Sequence, residues 1–146
     1  QLKPGKPTFF GVHEAAGARR YVFGLPGNPA SAFTVFDLLV RPLLQALVGA
    51  DPGALDAALP LARGSSFRAN SRLQAVPARL VADAGGRLSA RLAPPSPSGD
   101  PFGLVGADSY VLIPPDTRPE SAAAADAPAS PSVFPIAGGA RGIGIK

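Results

Sequence analysis

Arg20-Tyr21-Val22-Phe23-Gly24-Leu25-Pro26-Gly27-Asn28-Pro29-Ala30-Ser31 compresses a strand, a tight turn and the start of a helix into one short run. Tyr21, Val22, Phe23 and Leu25 are strand formers, punctuated by Gly24. Pro26-Gly27 then predicts a tight turn, because proline fixes φ and Gly27 can supply a positive φ. Asn28 is a favoured helix N-cap, and Pro29 falls where proline is best tolerated, at the first helical position. Amides near Ala30 and Ser31, aligned with the helix dipole, are expected to face an anion. The same residues would equally make a plain strand-to-helix connection, and both readings stay open on the turn chemistry alone.

Working outward, apolar residues at Ala32, Phe33, Val35, Phe36, Leu39, Val40, Leu43, Leu44 and Leu47 predict an amphipathic helix packed into a core. Asp37 and Arg41, four apart, are expected to pair on its outer face. Pro42 should kink or restart the helix, and Gly49 should end it. The charges inside this run argue for a core helix over a membrane span. Thr8–Val12 reads as a strand that forms a hairpin with Arg20–Leu25, turning in Glu14–Arg19. Ahead of it, Lys3-Pro4-Gly5-Lys6-Pro7 is an extended, proline-stiffened segment with two cations.

The second half has a different texture. Asp51–Arg63 is an alanine-rich connection with room for a short helix. Ser71–Val81 and Arg87–Leu92 alternate as strands around the turn Asp83-Ala84-Gly85-Gly86. Phe102–Ala107 suits a helical turn, and Ser109–Ile113 is a strand. Thr117–Ser132 lacks a periodic apolar face, Val133–Ile136 suits an edge strand, and Gly138–Lys146 reads as a loose tail.

Composition bounds the chemistry. The 146 residues are 46% hydrophobic and 16% charged, enough for a folded core. With no cysteine and a single histidine, His13, neither a disulfide framework nor a thiolate or histidine metal site can form. A net charge of +4 suggests an anionic partner. The cations are scattered and lack interleaved aromatics, so nucleic acid is not the expected partner. No apolar leader is apparent, and a soluble cytoplasmic protein without membrane partners is the expectation.

Three blocks, Leu2–Pro7, Gly24–Ser31 and Val40-Arg41-Pro42, closely resemble in order and spacing the C-terminal part of the MoeA/gephyrin-E family of molybdopterin molybdotransferases. The likeness is specific over residues 1–48. It implies an α/β end-segment (strand, strand, long helix of a MogA-like α/β domain) over 1–50, a linker over 51–70, and a small β-barrel-like domain over 71–146. It implies that the parent protein inserts molybdate into adenylylated molybdopterin, releasing AMP and leaving molybdenum cofactor. Molybdate and adenylylated molybdopterin would be substrates and Mg2+ the metal, with a homodimer as the assembly. The implied substrate- and anion-binding residues are Lys3, Lys6, Pro26, Gly27, Asn28, Pro29, Ser31 and Ser98. The family's magnesium-binding carboxylates belong to segments upstream of Lys3, so no catalytic or metal residue is assigned here. A chain that opens on Gln1 and meets the motif at once is expected to be part of a longer protein.

The later motifs depart from the family. Its barrel strand carries an arginine implicated in molybdate binding, where Pro77 stands here with Arg79 two residues on. The family's Gln-Gly-Ser-Gly loop survives only as Ser98-Gly99, with Asp100 beside it and Phe102-Gly103 replacing paired serines. A non-catalytic scaffold, or a pterin- or molybdate-binding module of the same descent, is the alternative implied by these losses.

Overall fold

A computed structural model describes residues 2–51, 57–96, 100, 102–118 and 132–135. The described residues are mixed α/β, with one long helix and two sheets among them. β2 (Phe9–Ala15) and β3 (Ala18–Gly24) form an antiparallel ribbon in full register from Phe9↔Gly24 to Ala15↔Ala18. Its turn is tighter than the sequence suggests. Ala16 and Gly17 alone make it, at φ of 51° and 75°, the paired left-handed geometry that suits a two-residue hairpin loop. Gly24 lies against Phe9, where an added Cβ would sit 3.2 Å from the Phe9 Cβ.

The helix begins at Pro29 and runs to Leu47 in three parts: α1 (Pro29–Val35), a π-helical turn (Phe36–Val40) and α2 (Arg41–Leu47). Pro42 explains the middle part. It has no N–H to donate, and in a tight helix its ring would crowd the carbonyl one turn back. The backbone widens before it, so that the Arg41 N–H reaches the Phe36 carbonyl five residues away.

The larger sheet runs β1 (Leu2–Lys3), β5 (Leu73–Ala82), β7 (Ser109–Ile113), β8 (Ser132–Pro135), β4 (Ala57–Ala58), with β6 (Leu88–Leu92) also on β5. Sequence-expected turns hold it together. Asp83 accepts from the Gly85 and Arg87 amides, both at 2.9 Å, and closes the β5–β6 hairpin. Val105 bonds back to Phe102 in the turn before β7.

Three connections differ from expectation. Leu2–Lys3 pairs parallel with Leu73–Gln74, so the N-terminal segment is stitched into the second-half sheet. Ala57–Ala58 is a strand on β8, and Leu61 bridges Ala90, where a short helix had room to form. β8 is interior, between β7 and β4, where the sequence suits an edge strand. Long-range pairing decides all three, and none leaves a local signal.

Ala78, Ala90, Leu92, Val111 and Ile113 line one face of this sheet, covered by Leu59, Leu61 and Phe67. Tyr110 lies on the other face, fully buried, where it meets Thr34 and the charges of Asp37 and Arg41. The helix is therefore oriented differently from its apolar periodicity. Asp37 is 3% exposed and pairs inward with Arg41 at 3.3 Å, while Phe33, Leu44 and Leu47 are about half exposed or more. Tyr110 meets Thr34, Asp37 and Arg41 from the sheet side, and Val35 lies against the Gly5 segment, so the buried side of the helix is set by these contacts and not by the bulky apolar stripe.

Candidate functional site

The strand-to-helix turn forms as a unit. Leu25 leaves β3, Pro26 is buried, and Gly27 is exposed. Asn28 stays extended, at φ −73° and ψ 125°, which turns the chain into the helix axis. Gly27 is not in the left-handed region, and an added Cβ there would meet nothing within 4 Å. The expected positive φ is unnecessary, because an extended N-cap makes the reversal by itself.

The Asn28 side chain accepts from the Ser31 amide at 3.0 Å and the Ser31 hydroxyl at 3.2 Å. Its carbonyl accepts from Ala32 at 2.9 Å. Ser31 is thus held by its own cap, and its amide is not open to an external anion. Pro29 has no N–H, so the Ala30 amide is the first-turn donor that this cap leaves alone. Thr34 continues the pattern by donating to the Ala30 carbonyl at 2.9 Å.

Lys3 and Lys6 are exposed on a segment whose two Lys-Pro bonds are cis. Gly5 between them has φ of 149°, and an added Cβ would stand 3.4 Å from Val35 and Leu2. This close approach seats the lysine segment on α1, about two helical turns from the Asn28 cap. Lys3 pairs with Gln74, whose register partner Ile113 lies on the core face of the sheet. The structure therefore brings Pro26, Gly27, Asn28, Pro29 and Ser31 together and lays the lysine segment beside α1. Ser98 lies outside the described residues.

The junction below the turn is what sequence reasoning missed. Burial pushes the Tyr110 phenol up to about 12; Thr34 and the Arg41 charge oppose the shift, and the Asp37 charge adds to it. Thr34 is the neighbour, yet among the described residues the phenol oxygen makes no hydrogen bond of ordinary geometry. An acid four residues before a basic residue marks the pair in the sequence, but not the side it faces.

Among the described residues, no three His, Asp or Glu side chains gather where they could hold a metal ion. The residues here do not fit a magnesium site, and no step is derived through one. A hollow of about 640 Å³ beside Glu14, Arg19 and Tyr21 lies at the hairpin end, away from the Asn28 turn and the lysine segment.

Comparison with known proteins places these features in context. No family model matches the chain. It is 34% identical over 132 residues to the molybdenum cofactor synthesis protein cinnamon of Drosophila melanogaster, covering 88% of this chain and 21% of that protein. It is 50% identical over 48 residues to the molybdopterin molybdenumtransferase of Haemophilus influenzae, covering 33% of this chain and 11% of that protein. The crystal structure of the molybdopterin biosynthesis moeA protein from Pyrococcus horikoshii OT3 superposes with a TM-score of 0.57 at 27% identity. That match covers 80% of this chain and 27% of the other. The chain therefore spans about a quarter or less of each of these relatives.

Proposed function

Since the chain corresponds to the C-terminal portion of a MoeA-family protein, we propose that it supplies part of a molybdopterin molybdotransferase site. The family works in molybdenum cofactor biosynthesis, and the reaction we assign is insertion of molybdate into adenylylated molybdopterin with release of AMP. The observation that carries this reading is the Pro26–Ser31 turn, capped by Asn28 with the Lys3–Lys6 segment packed on its helix.

In this role the turn is a wall. A buried Pro26 and a self-capped Asn28 fix the backbone before any ligand arrives, so no ordering cost falls on binding. Lys3 and Lys6 add mobile positive charge for an oxyanion, and the Ala30 amide adds a directed donor. The acid chemistry and Mg2+ belong, in this reading, to segments outside this chain. The finer organisation we propose is an α/β end-segment to about residue 50, a linker to 70 and a barrel-like unit from 71. A cytoplasmic homodimer completes the picture.

The test is AMP release by the full-length protein given Mg2+, molybdate and adenylylated molybdopterin. We expect turnover, and a drop in kcat/KM of about tenfold or more in Lys3→Ala and Lys6→Ala, the usual scale for removing a charged contact to an oxyanion. Tight pterin binding without AMP release would overturn the enzyme reading in favour of a non-catalytic binding module.

A further inference from the structure

The sheet face that carries Tyr110 continues along β5 to Arg79, since Pro77 pairs with Tyr110 and side chains alternate. On the other side of β5, Arg79 lies directly opposite Arg91 of β6, and both are exposed. The next rung on that face pairs Val81 with Ser89, and alternation brings Arg87 to the same face at the turn.

Two cations directly opposed across an antiparallel pair repel one another, with backbones only about 5 Å apart. Nearby acids do not relieve them. Asp83 spends its Oδ1 on the Gly85 and Arg87 amides. Asp108 spends its Oδ1 on the Leu80 amide at 2.9 Å and the Ser109 hydroxyl at 3.0 Å. Among the described residues, neither Arg79 nor Arg91 makes an ion pair or hydrogen bond through its guanidinium. Among the described residues, the Ser89 hydroxyl makes only a long 3.5 Å contact to the Val81 carbonyl, easily exchanged for a better acceptor.

We propose that Arg79, Arg91 and Ser89 form a binding site for the phosphate group of a soluble small molecule, with Arg87 adding to the field. A guanidinium fork meets two oxygens at once, and a single carboxylate is satisfied by one fork. Two forks on one rung with a hydroxyl on the next match a tetrahedral dianion, whose charge also removes the repulsion between them. The site shares no residue with the Lys3–Ser31 motif, and it lies on the strand that carries Pro77, two residues along from it.

The experiment is calorimetric titration of the chain with inorganic phosphate at constant ionic strength, with chloride as control. Saturable binding is expected, weakened by about tenfold or more in Arg79→Ala and in Arg91→Ala. Arg79→Lys keeps the charge but loses the fork, and should also weaken it. Arg20→Ala, which removes an exposed cation of the β2–β3 hairpin, should leave phosphate binding unchanged, which separates this site from a general response to net positive charge. Both arginines are exposed, so circular dichroism should show the Ala variants folded, with Tm equal or higher as the repulsion is relieved. An equal response to chloride, or unchanged affinity in both Ala variants, would overturn the proposal. So would capture by phosphatidic acid vesicles without binding of soluble phosphate.

Discussion

The hairpin β2–β3 and the strand pair β5–β7 contain similar residues, yet they are stabilised in different ways. In the hairpin, Phe9, Phe10, Val12 and Val22 are each about half exposed or more. Its cohesion comes from within the ribbon, where Phe10 packs on Phe23 at 4.9 Å and on Tyr21 at 6.5 Å between ring centroids. In β7, Tyr110, Val111 and Ile113 are at most 2% exposed. A two-stranded ribbon has no second layer to bury against, whereas a sheet with strands on both sides of β5 can remove a whole face from water. Strand-forming composition therefore marks both regions alike, and only burial separates their energetic weight.

The largest effect that would test this contrast is at the sheet core. Ile113→Ala should lower unfolding free energy by about 3 kcal/mol, read by urea denaturation, since it combines lost transfer energy with a cavity. A change below about 1 kcal/mol would mean the sheet side chains are no better buried than the hairpin's. Next is the helix–sheet junction. Asp37→Ala strips the buried partner from Arg41 and should cost about 2 kcal/mol in the same measurement.

The junction also predicts a pH dependence. The Tyr110 phenol ionises near 12 in the folded chain against its usual 10, so the folded state holds the proton more tightly. Its contribution to stability is fully present below pH 10 and is lost as pH rises towards 12. An alkaline titration of tyrosinate absorbance should show a late step from Tyr110. Tyr110→Phe should delete the late step and change neutral-pH stability by less than about 1 kcal/mol, because among the described residues the hydroxyl makes no hydrogen bond of ordinary geometry. The smallest effect belongs to the ribbon. Phe10→Ala should cost about 0.5–1 kcal/mol, the scale of a cross-strand aromatic contact.

Much of the local structure was legible. Asn28-Pro29 marked the helix start, because a cap and a missing N–H act on neighbouring atoms. Asp83–Gly86 marked the β5–β6 turn for the same reason, and Ser109–Ile113 the strand β7. The local geometry of the candidate turn was legible in part: Asn28 caps the helix as expected, but Gly27 does not need its special φ and Ser31 is taken up by the cap. Asp37 and Arg41 were misread as an outer-face pair. Periodicity shows which residues share a helix face, and it does not say what surface that face will meet.

By itself the sequence determined the strand–turn–helix unit, the β5–β6 hairpin and the likeness to a molybdenum cofactor enzyme family. Those features depend on propensities and bonds that reach only a few residues along the chain. Tertiary structure decided that Leu2–Lys3 joins β5, that the helix turns Asp37 inward to Tyr110, and that Arg79 faces Arg91. Each of these depends on strand register or layer packing between distant segments, where a shift of one residue sends every side chain to the opposite face.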